Sequence, residues 1–432
     1  MTELKKFCID AVRQHFPAFD NQLERGLQSN TPSTECFFEN AGGTFPTRHV
    51  LRRLNEFYAN YKVQPYGATP LQEAAGNAMD SGRQRMADVL GLDVDDMIIG
   101  PSTTQNFNTL SIGFSGLLES GDEIILSEQD HEANIGGWLR AAKLAGAEVR
   151  FWLANADTGQ LQLDDLASLV NAKTRLVSVT HSSNIIGSIN PLTEIATLLD
   201  GAAKQRIYLI ADGVSYAPHG LPDITALSES GVDAYSFSTY KTFGTHLGIM
   251  YVKPELSELL TPQCHYFNTG KRRYRFDSAG PDHASIAALA GIADYFDALY
   301  EQLGGDASVA TNVRVQELSK LIKSYEQTLI EPVFSCLAEK KIRILGSDQA
   351  DASREANIAF YTEGMTSAKV NQQLANHGIA AGNGDFYAPR VLTRMGIEDL
   401  EDGVVRLSFA HYNSEAEVAK LTDALNAILP AN

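Results

Sequence analysis

Lys241 stands in the stretch Ser236-Phe237-Ser238-Thr239-Tyr240-Lys241-Thr242-Phe243-Gly244. The stretch reads as a buried strand that runs into a polar, glycine-bearing turn, after which the chain resumes as a strand over Gly248 to Val252. Aromatic neighbours on both sides can limit the solvation of the lysine amine. Burial favours its neutral form, and the neutral amine condenses with carbonyl groups. The alternative is a lysine that simply reaches into water from a strand end. Upstream, Ile207 to Ala211 is a short apolar run that ends on Asp212 and Gly213, the pattern of a parallel strand covered on both faces. Ligands of open α/β sheets bind at the carboxyl ends of the strands, so Asp212 and Lys241, on successive strand ends, would face one crevice. An aspartate and a lysine placed in this way are what pyridoxal 5'-phosphate (PLP) requires. The lysine holds the aldehyde, and the aspartate keeps the pyridine nitrogen protonated so that the ring can accept electrons.

Other elements carry further candidates. Met97 to Pro101 is a short strand, and Ser102-Thr103-Thr104-Gln105 opens a helix continuing to Leu118. Hydroxyls and free N–H groups at a helix start can form an anion site or a plain N-cap. Asp122 to Ser127 is a strand followed by His131, whose ring could stack on a flat cofactor or be a surface histidine. Arg175 to Thr180 is a strand whose loop carries Asn184. Arg406 lies in Gly403-Val404-Val405-Arg406-Leu407-Ser408, a strand that otherwise takes apolar residues, so it needs a carboxylate partner, from the protein or from a substrate.

Composition bounds the class. The chain has 432 residues, 44% of them hydrophobic, enough for a large core in two compact domains. The formal charge of −18 argues against nucleic acid and anionic membranes as partners. No apolar run reaches a membrane span, the start lacks a signal-peptide core, and a cytoplasmic location is expected. The four cysteines, Cys8, Cys36, Cys264 and Cys336, have neither metal-ligand spacing nor a disulfide framework, and no metal site is expected. Helical periodicity runs over Leu4 to Phe16, Thr47 to Tyr61, Pro70 to Leu90, Ala284 to Leu303 and Val309 to Lys340, with strands over Lys341 to Leu345 and Ala356 to Tyr361.

These segments, in this order, resemble the class V aminotransferase family of PLP-dependent enzymes, and within it the cysteine desulfurase and selenocysteine lyase branch, from about Phe38 to about Leu425. The resemblance implies an α/β architecture, the PLP-dependent transferase fold (aspartate-aminotransferase-like, fold type I). A large domain, 46–300, would carry a mostly parallel seven-stranded sheet. A smaller α+β C-terminal domain would span 301–432, and an N-terminal segment, 1–45, would pack with it. The resemblance implies a small amino-acid substrate and PLP as cofactor. Lys241 would hold the cofactor and act as base, Asp212 would anchor the pyridine nitrogen, His131 would stack on the ring, and Thr103, Thr104 and Ser238 would hold phosphate. Asn184 would contact the ring oxygen, Arg406 the substrate carboxylate, and the segment around Asn40 would line the substrate side. It also implies a homodimer with composite sites, the loop around Gly280 reaching the partner's cofactor phosphate.

The sequence departs from the family pattern at several of these points. Glu132 replaces the second histidine of the motif around His131, and Gly280 replaces a threonine. Ser215 stands for a glutamine and Tyr240 for a histidine, both near the cofactor and its proton transfers. In Gly382-Asn383-Gly384-Asp385-Phe386-Tyr387-Ala388, Tyr387 takes the position of the cysteine that accepts sulfur in desulfurases. Only a thiolate accepts sulfur in this way, so persulfide chemistry is not expected. Tyr387 could serve as an acid or base, or as a packing residue. A C–S lyase acting by β-elimination or an aminotransferase is expected, with an epimerase or a non-catalytic relative as alternatives.

Overall fold

The computed structural model describes residues 4, 7–20, 36–202, 206–277 and 279–430. Its centre is a seven-stranded sheet in the order Met97–Gly100, Gly248–Val252, Ala234–Ser238, Tyr208–Asp212, Thr174–Thr180, Glu123–Ser127, Glu148–Trp152. The last five run parallel, and Gly248–Val252 is antiparallel to both its neighbours. All but the edge strand Glu148–Trp152 are buried along nearly their whole length, and Met97–Gly100, Tyr208–Asp212 and Gly248–Val252 read accordingly as near-continuous apolar runs. Parallel pairing also aligns the carboxyl ends of Glu123–Ser127, Thr174–Thr180, Tyr208–Asp212 and Ala234–Ser238 at one edge. This is the α/β, mostly parallel seven-stranded architecture that the sequence predicts.

Helices cover both faces. Pro70–Leu90 begins at a reciprocal capping box between Thr69 and Gln72, carries Pro70 at its first position, and stops at Gly91 with φ +69°. It crosses His283–Ala288 so closely that a Cβ on Gly82 would lie 2.0 Å from the carbonyl oxygen of Ile286. The helix expected over Ala284 to Leu303 is two helices, His283–Ala288 and Ala290–Gln302. Just beyond the junction, Gly291 packs against the backbone of Val50, where a Cβ would come within 2.4 Å of an amide nitrogen. The helix expected over Leu4 to Phe16 is confined, among the described residues, to Ile9–Arg13, because the chain turns at His15 to bury Phe16.

A second, antiparallel sheet has the order Gly382–Gly384, Val404–Ser408, Asn357–Tyr361, Arg343–Leu345. The helix Thr311–Glu339 links the two cores: Val315, Leu318 and Ile322 belong to the core of the large sheet, and Leu329, Ile330 and Val333 to that of the small one. The N-terminal segment divides in the same way. Val12 and Phe16 join the large core, whereas Cys36 and Phe38 join the small one, with Cys36–Phe37 paired in parallel to Ile379–Ala380. Among the described residues no helix is long and apolar enough to cross a membrane, and no group of three metal-ligating side chains is present.

Candidate active site

The crevice lies at the carboxyl edge of the large sheet, faced by the small one. Lys241 closes a short helical turn that follows directly on Ala234–Ser238. Its amine is desolvated by the surrounding protein and repelled by Arg406, and both effects lower it to about 8, against a smaller opposing pull from Asp212. The neutral fraction at neutral pH is therefore far larger than for an ordinary lysine, which favours carbonyl capture. Asp212 ends its strand, is 3% exposed, and accepts a hydrogen bond from the Val214 amide at 2.9 Å. Burial raises its carboxyl to about 6. A cationic ring nitrogen in the crevice would offset the cost of charging this buried carboxyl and favour its ionised form.

Thr103 and Ser238 meet although they are far apart in sequence: their hydroxyls are 2.8 Å apart and buried. Thr103 opens the helix Thr103–Phe114, and Ser102 caps it by accepting from the Gln105 amide. Thr104, beside them, is exposed. A Cβ on Gly248 would lie 2.6 Å from the Thr103 nitrogen, so the strand approaches the helix start as only glycine permits. This cradle of hydroxyls and N–H groups suits a phosphate.

His131 caps the turn Glu132–Asn134 by accepting from the Ala133 amide at Nδ1, an in-plane bond that fixes the ring's orientation. Burial, Lys241 and Arg406 lower it to about 4, so the ring is neutral and flat, suited to stacking. Arg406 is 4% exposed on Val404–Ser408 and is lowered to about 10 by burial. Its Nη1 donates to the Asn184 carbonyl at 3.2 Å, Nη2 lies 3.5 Å from Glu39, and Nε has no partner. The Phe386 ring covers the guanidinium at 3.7 Å. A buried guanidinium with weak and missing hydrogen bonds retains capacity for a carboxylate.

The remaining candidates are distributed around this centre. Ser215 and Asn184 line a cavity with Lys241. The Asn184 side chain donates to the Phe386 carbonyl at 2.9 Å. Tyr240 stacks on His246, ring centroids 4.4 Å apart and nearly parallel, so its ring is held there. Asn40 borders the cavity, but its amide is engaged within the protein, donating to Ser408 and Asn413 and accepting from Tyr412. The segment around Asn40 thus lines the cavity, while its side-chain amide braces the small sheet. Tyr387 is 69% exposed, with its ring centroid 5.3 Å from that of His131. Phe386 and Tyr387 both adopt left-handed φ, +50° and +59°, unusual for such side chains. The loop is held by the Glu132 amide donating to the Tyr387 carbonyl and by an ion pair between Arg390 and Glu132. Glu132, anomalous in the sequence, thus anchors this loop. Gly280 has φ +65° with no atom near a hypothetical Cβ.

Four residues of the site were not singled out by the sequence. Glu39 could have been marked as the charge ending an apolar run, whereas Phe386 and His219 carry no local signal. Asp130, which precedes His131, is buried and accepts from Ser127 and Asn134. Burial raises it to about 8, so it remains a neutral carboxylic acid.

The residues present fit PLP, on the desolvated Lys241 amine, the Asp212 carboxyl and the hydroxyl cradle. Comparison with known proteins agrees. The aminotransferase class-V family profile matches residues 36–421. The aminotransferase-like protein FGM3 of Gibberella zeae is 31% identical, over 98% of this chain and 99% of its own length. The cysteine desulfurase-like protein ustD of Aspergillus flavus is 27% identical, over 98% and 90%. Among solved structures, a cysteine desulfurase from Thermococcus onnurineus superimposes with TM-score 0.81 at 21% identity, covering 99% of each chain. The chain therefore belongs to the aminotransferase class-V family and is a PLP-dependent enzyme.

Proposed function

We propose that this enzyme acts on an L-amino acid without a persulfide intermediate, as a C–S lyase working by β-elimination. The observation that carries the reading is the juxtaposition of a desolvated Lys241 with the under-bonded, buried Arg406. Lys241 would hold PLP, Asp212 would pair with its ring nitrogen, His131 would stack on the ring, Thr103, Thr104 and Ser238 would hold the phosphate, and Asn184, Ser215 and Tyr240 would border it. Once bound, PLP supplies an electron sink for bonds broken at the substrate α-carbon. Arg406 takes the substrate carboxylate bidentately in place of its weak contact to Glu39, which orients the α-hydrogen toward Lys241. The neutral Lys241 amine removes that proton, and Phe386 excludes water from the guanidinium.

The absence of a sulfur-accepting thiol rests on the cysteines themselves. Cys36 and Cys336 are buried, 3% and 5% exposed, and burial pushes both thiols up, away from thiolate. The loop position that would carry such a thiol is Tyr387. Cys8 and Cys264 lie on the first short helix's N-cap and in the loop after Pro254–Leu259, outside the elements that build the crevice. A second reading, an aminotransferase, is favoured by the name of the FGM3 relative. An epimerase or a non-catalytic relative has no observation of its own. We further propose a homodimer, with the Gly280 loop completing the partner's phosphate site, a division of the chain at 1–45, 46–300 and 301–432, and a cytoplasmic location.

The test is a panel of L-amino acids, including cysteine, cystine and S-substituted cysteines, incubated with the PLP-loaded protein. Catalytic release of pyruvate and ammonia is expected. A half-reaction that stops after one turnover and restarts when a 2-oxo acid is added would sink the lyase reading in favour of the aminotransferase.

A further inference from the structure

Between the turn after Asp212, the loop 182–184 and the small sheet lies a cavity with ≈ 20 Å³ of room for water centres, bordered by Ser183, Ser215, His219, Lys241, Glu355 and Asn357. Val214, Pro218 and Phe409 also line it, so a void of this size holds a water only where two to four polar partners converge. The walls offer them. Asn357, 4% exposed, donates from Nδ2 to the Asn184 and Ile185 carbonyls at 3.0 Å, while its Oδ1 has no partner. His219, 5% exposed, bonds Glu326 through Nδ1 at 2.7 Å, and among the described residues no group is bonded to its Nε2. Glu326 is itself buried on the linking helix, with its second carboxylate oxygen unpartnered.

The groups facing this imidazole come from several elements. Glu326 and Lys323 lie on Thr311–Glu339, Glu355 on the segment before Asn357–Tyr361, and His411 after Val404–Ser408. Lys323 and Glu355 pair at 3.0 Å, and the Lys323 ammonium also sits 3.7 Å over the Tyr216 ring. Burial opposes charge on His219, but Glu326 outweighs it, and the imidazole is held above its ordinary value. Lys241 is lowered toward it from the other side. Two groups whose acidities converge exchange a proton with little opposing driving force.

We propose that His219, braced by Glu326, is a proton-relay residue for Lys241, exchanging protons with its amine through a water in this cavity. The inference rests on the reading that Lys241 holds PLP and acts as base. Lys241 must be neutral to capture a carbonyl, and must shed the proton it takes from substrate. The ammonium gives its proton to the water oxygen as the water passes one of its own to His219 Nε2. Glu326 balances the imidazolium formed, and the reverse sequence returns the proton. The transfer proceeds without opening the substrate crevice to solvent.

The test is a stopped-flow pH jump, from about pH 6.5 to about pH 9, on PLP-loaded protein. The absorbance of bound PLP follows the proton on the nitrogen it shares with Lys241. His219→Gln is expected to slow the change about tenfold or more and to leave the end-point spectra unaltered. Free imidazole is expected to restore the rate in His219→Ala, and Glu326→Gln to slow the change and move its midpoint to lower pH. Rates within about twofold of wild type in both His219→Gln and Glu326→Gln would overturn the relay. So would a slowed His219→Ala that imidazole does not restore. If His219→Gln does not fold, Glu326→Gln decides alone. Wild-type protein that forms no chromophore overturns the PLP reading at Lys241 and the relay with it, so the two failures are distinguishable.

Discussion

Arg354 and Arg406 are buried to nearly the same depth, 3% and 4% exposed, and burial lowers both guanidinium groups to about 10. Their surroundings differ. Arg354 donates to three backbone carbonyls, those of Ser347, Glu355 and Asn357, so the region around it is closed. The Arg406 region is open: one bond at 3.2 Å, a carboxylate at 3.5 Å and an orphaned Nε, under the Phe386 ring. A buried charge is tolerated when its hydrogen bonds are satisfied. Where they are not, the site stores the means to bind a further group, and the weak pairing of Arg406 marks it as the functional arginine of the two.

The comparison can be broken at both ends. The largest effect belongs to Lys241→Ala, which should abolish borohydride-stable attachment of PLP and reduce turnover about 10³-fold or more, read by mass spectrometry and steady-state kinetics. Next, Arg406→Gln should lower kcat/KM for the amino-acid substrate about 100-fold and leave the unfolding midpoint nearly unchanged. Arg354→Gln should do the reverse, destabilising by about 3 kcal/mol through unsatisfied carbonyls, with kcat/KM per folded molecule intact. Equal effects of the two on stability would erase the distinction drawn here.

Smaller effects sharpen it. Capture of PLP by cofactor-free protein needs the neutral Lys241 amine, so its rate should rise with pH through about 8 rather than through the ordinary lysine value. Because Arg406 contributes to that lowering, Arg406→Gln should move the midpoint upward, which a pH series of reconstitution rates will show. Phe386→Ala, which rehydrates the guanidinium, should raise KM about threefold to tenfold. Tyr387→Phe should change kcat less than about threefold, because its exposed side chain packs beside His131 without a buried partner.

Some of this was legible in the chain alone. The continuous apolar run ending in Asp212 reveals a doubly covered parallel strand, since burial on both faces removes the polar alternation. Hydroxyls at Ser102 to Thr104 mark the start of a helix because they cap it locally. The bracing by Asn40 was not legible: a side-chain amide looks the same in sequence whether it faces a ligand or, as here, bonds Ser408, Asn413 and Tyr412.

What the sequence determined is therefore what depends on neighbours in the chain: strand and helix periodicity, caps, glycine turns, and the placing of Asp212 and Lys241 at strand ends. What only the tertiary structure decided depends on partners far along the chain. Thr103 meets Ser238, Phe386 covers Arg406, Glu326 holds His219, and Glu132 anchors the Tyr387 loop. The physical reason is burial: desolvation sets the acidities of Lys241, Asp212 and His131, and the water each side chain loses is displaced by residues from other elements, whose identity no local pattern records.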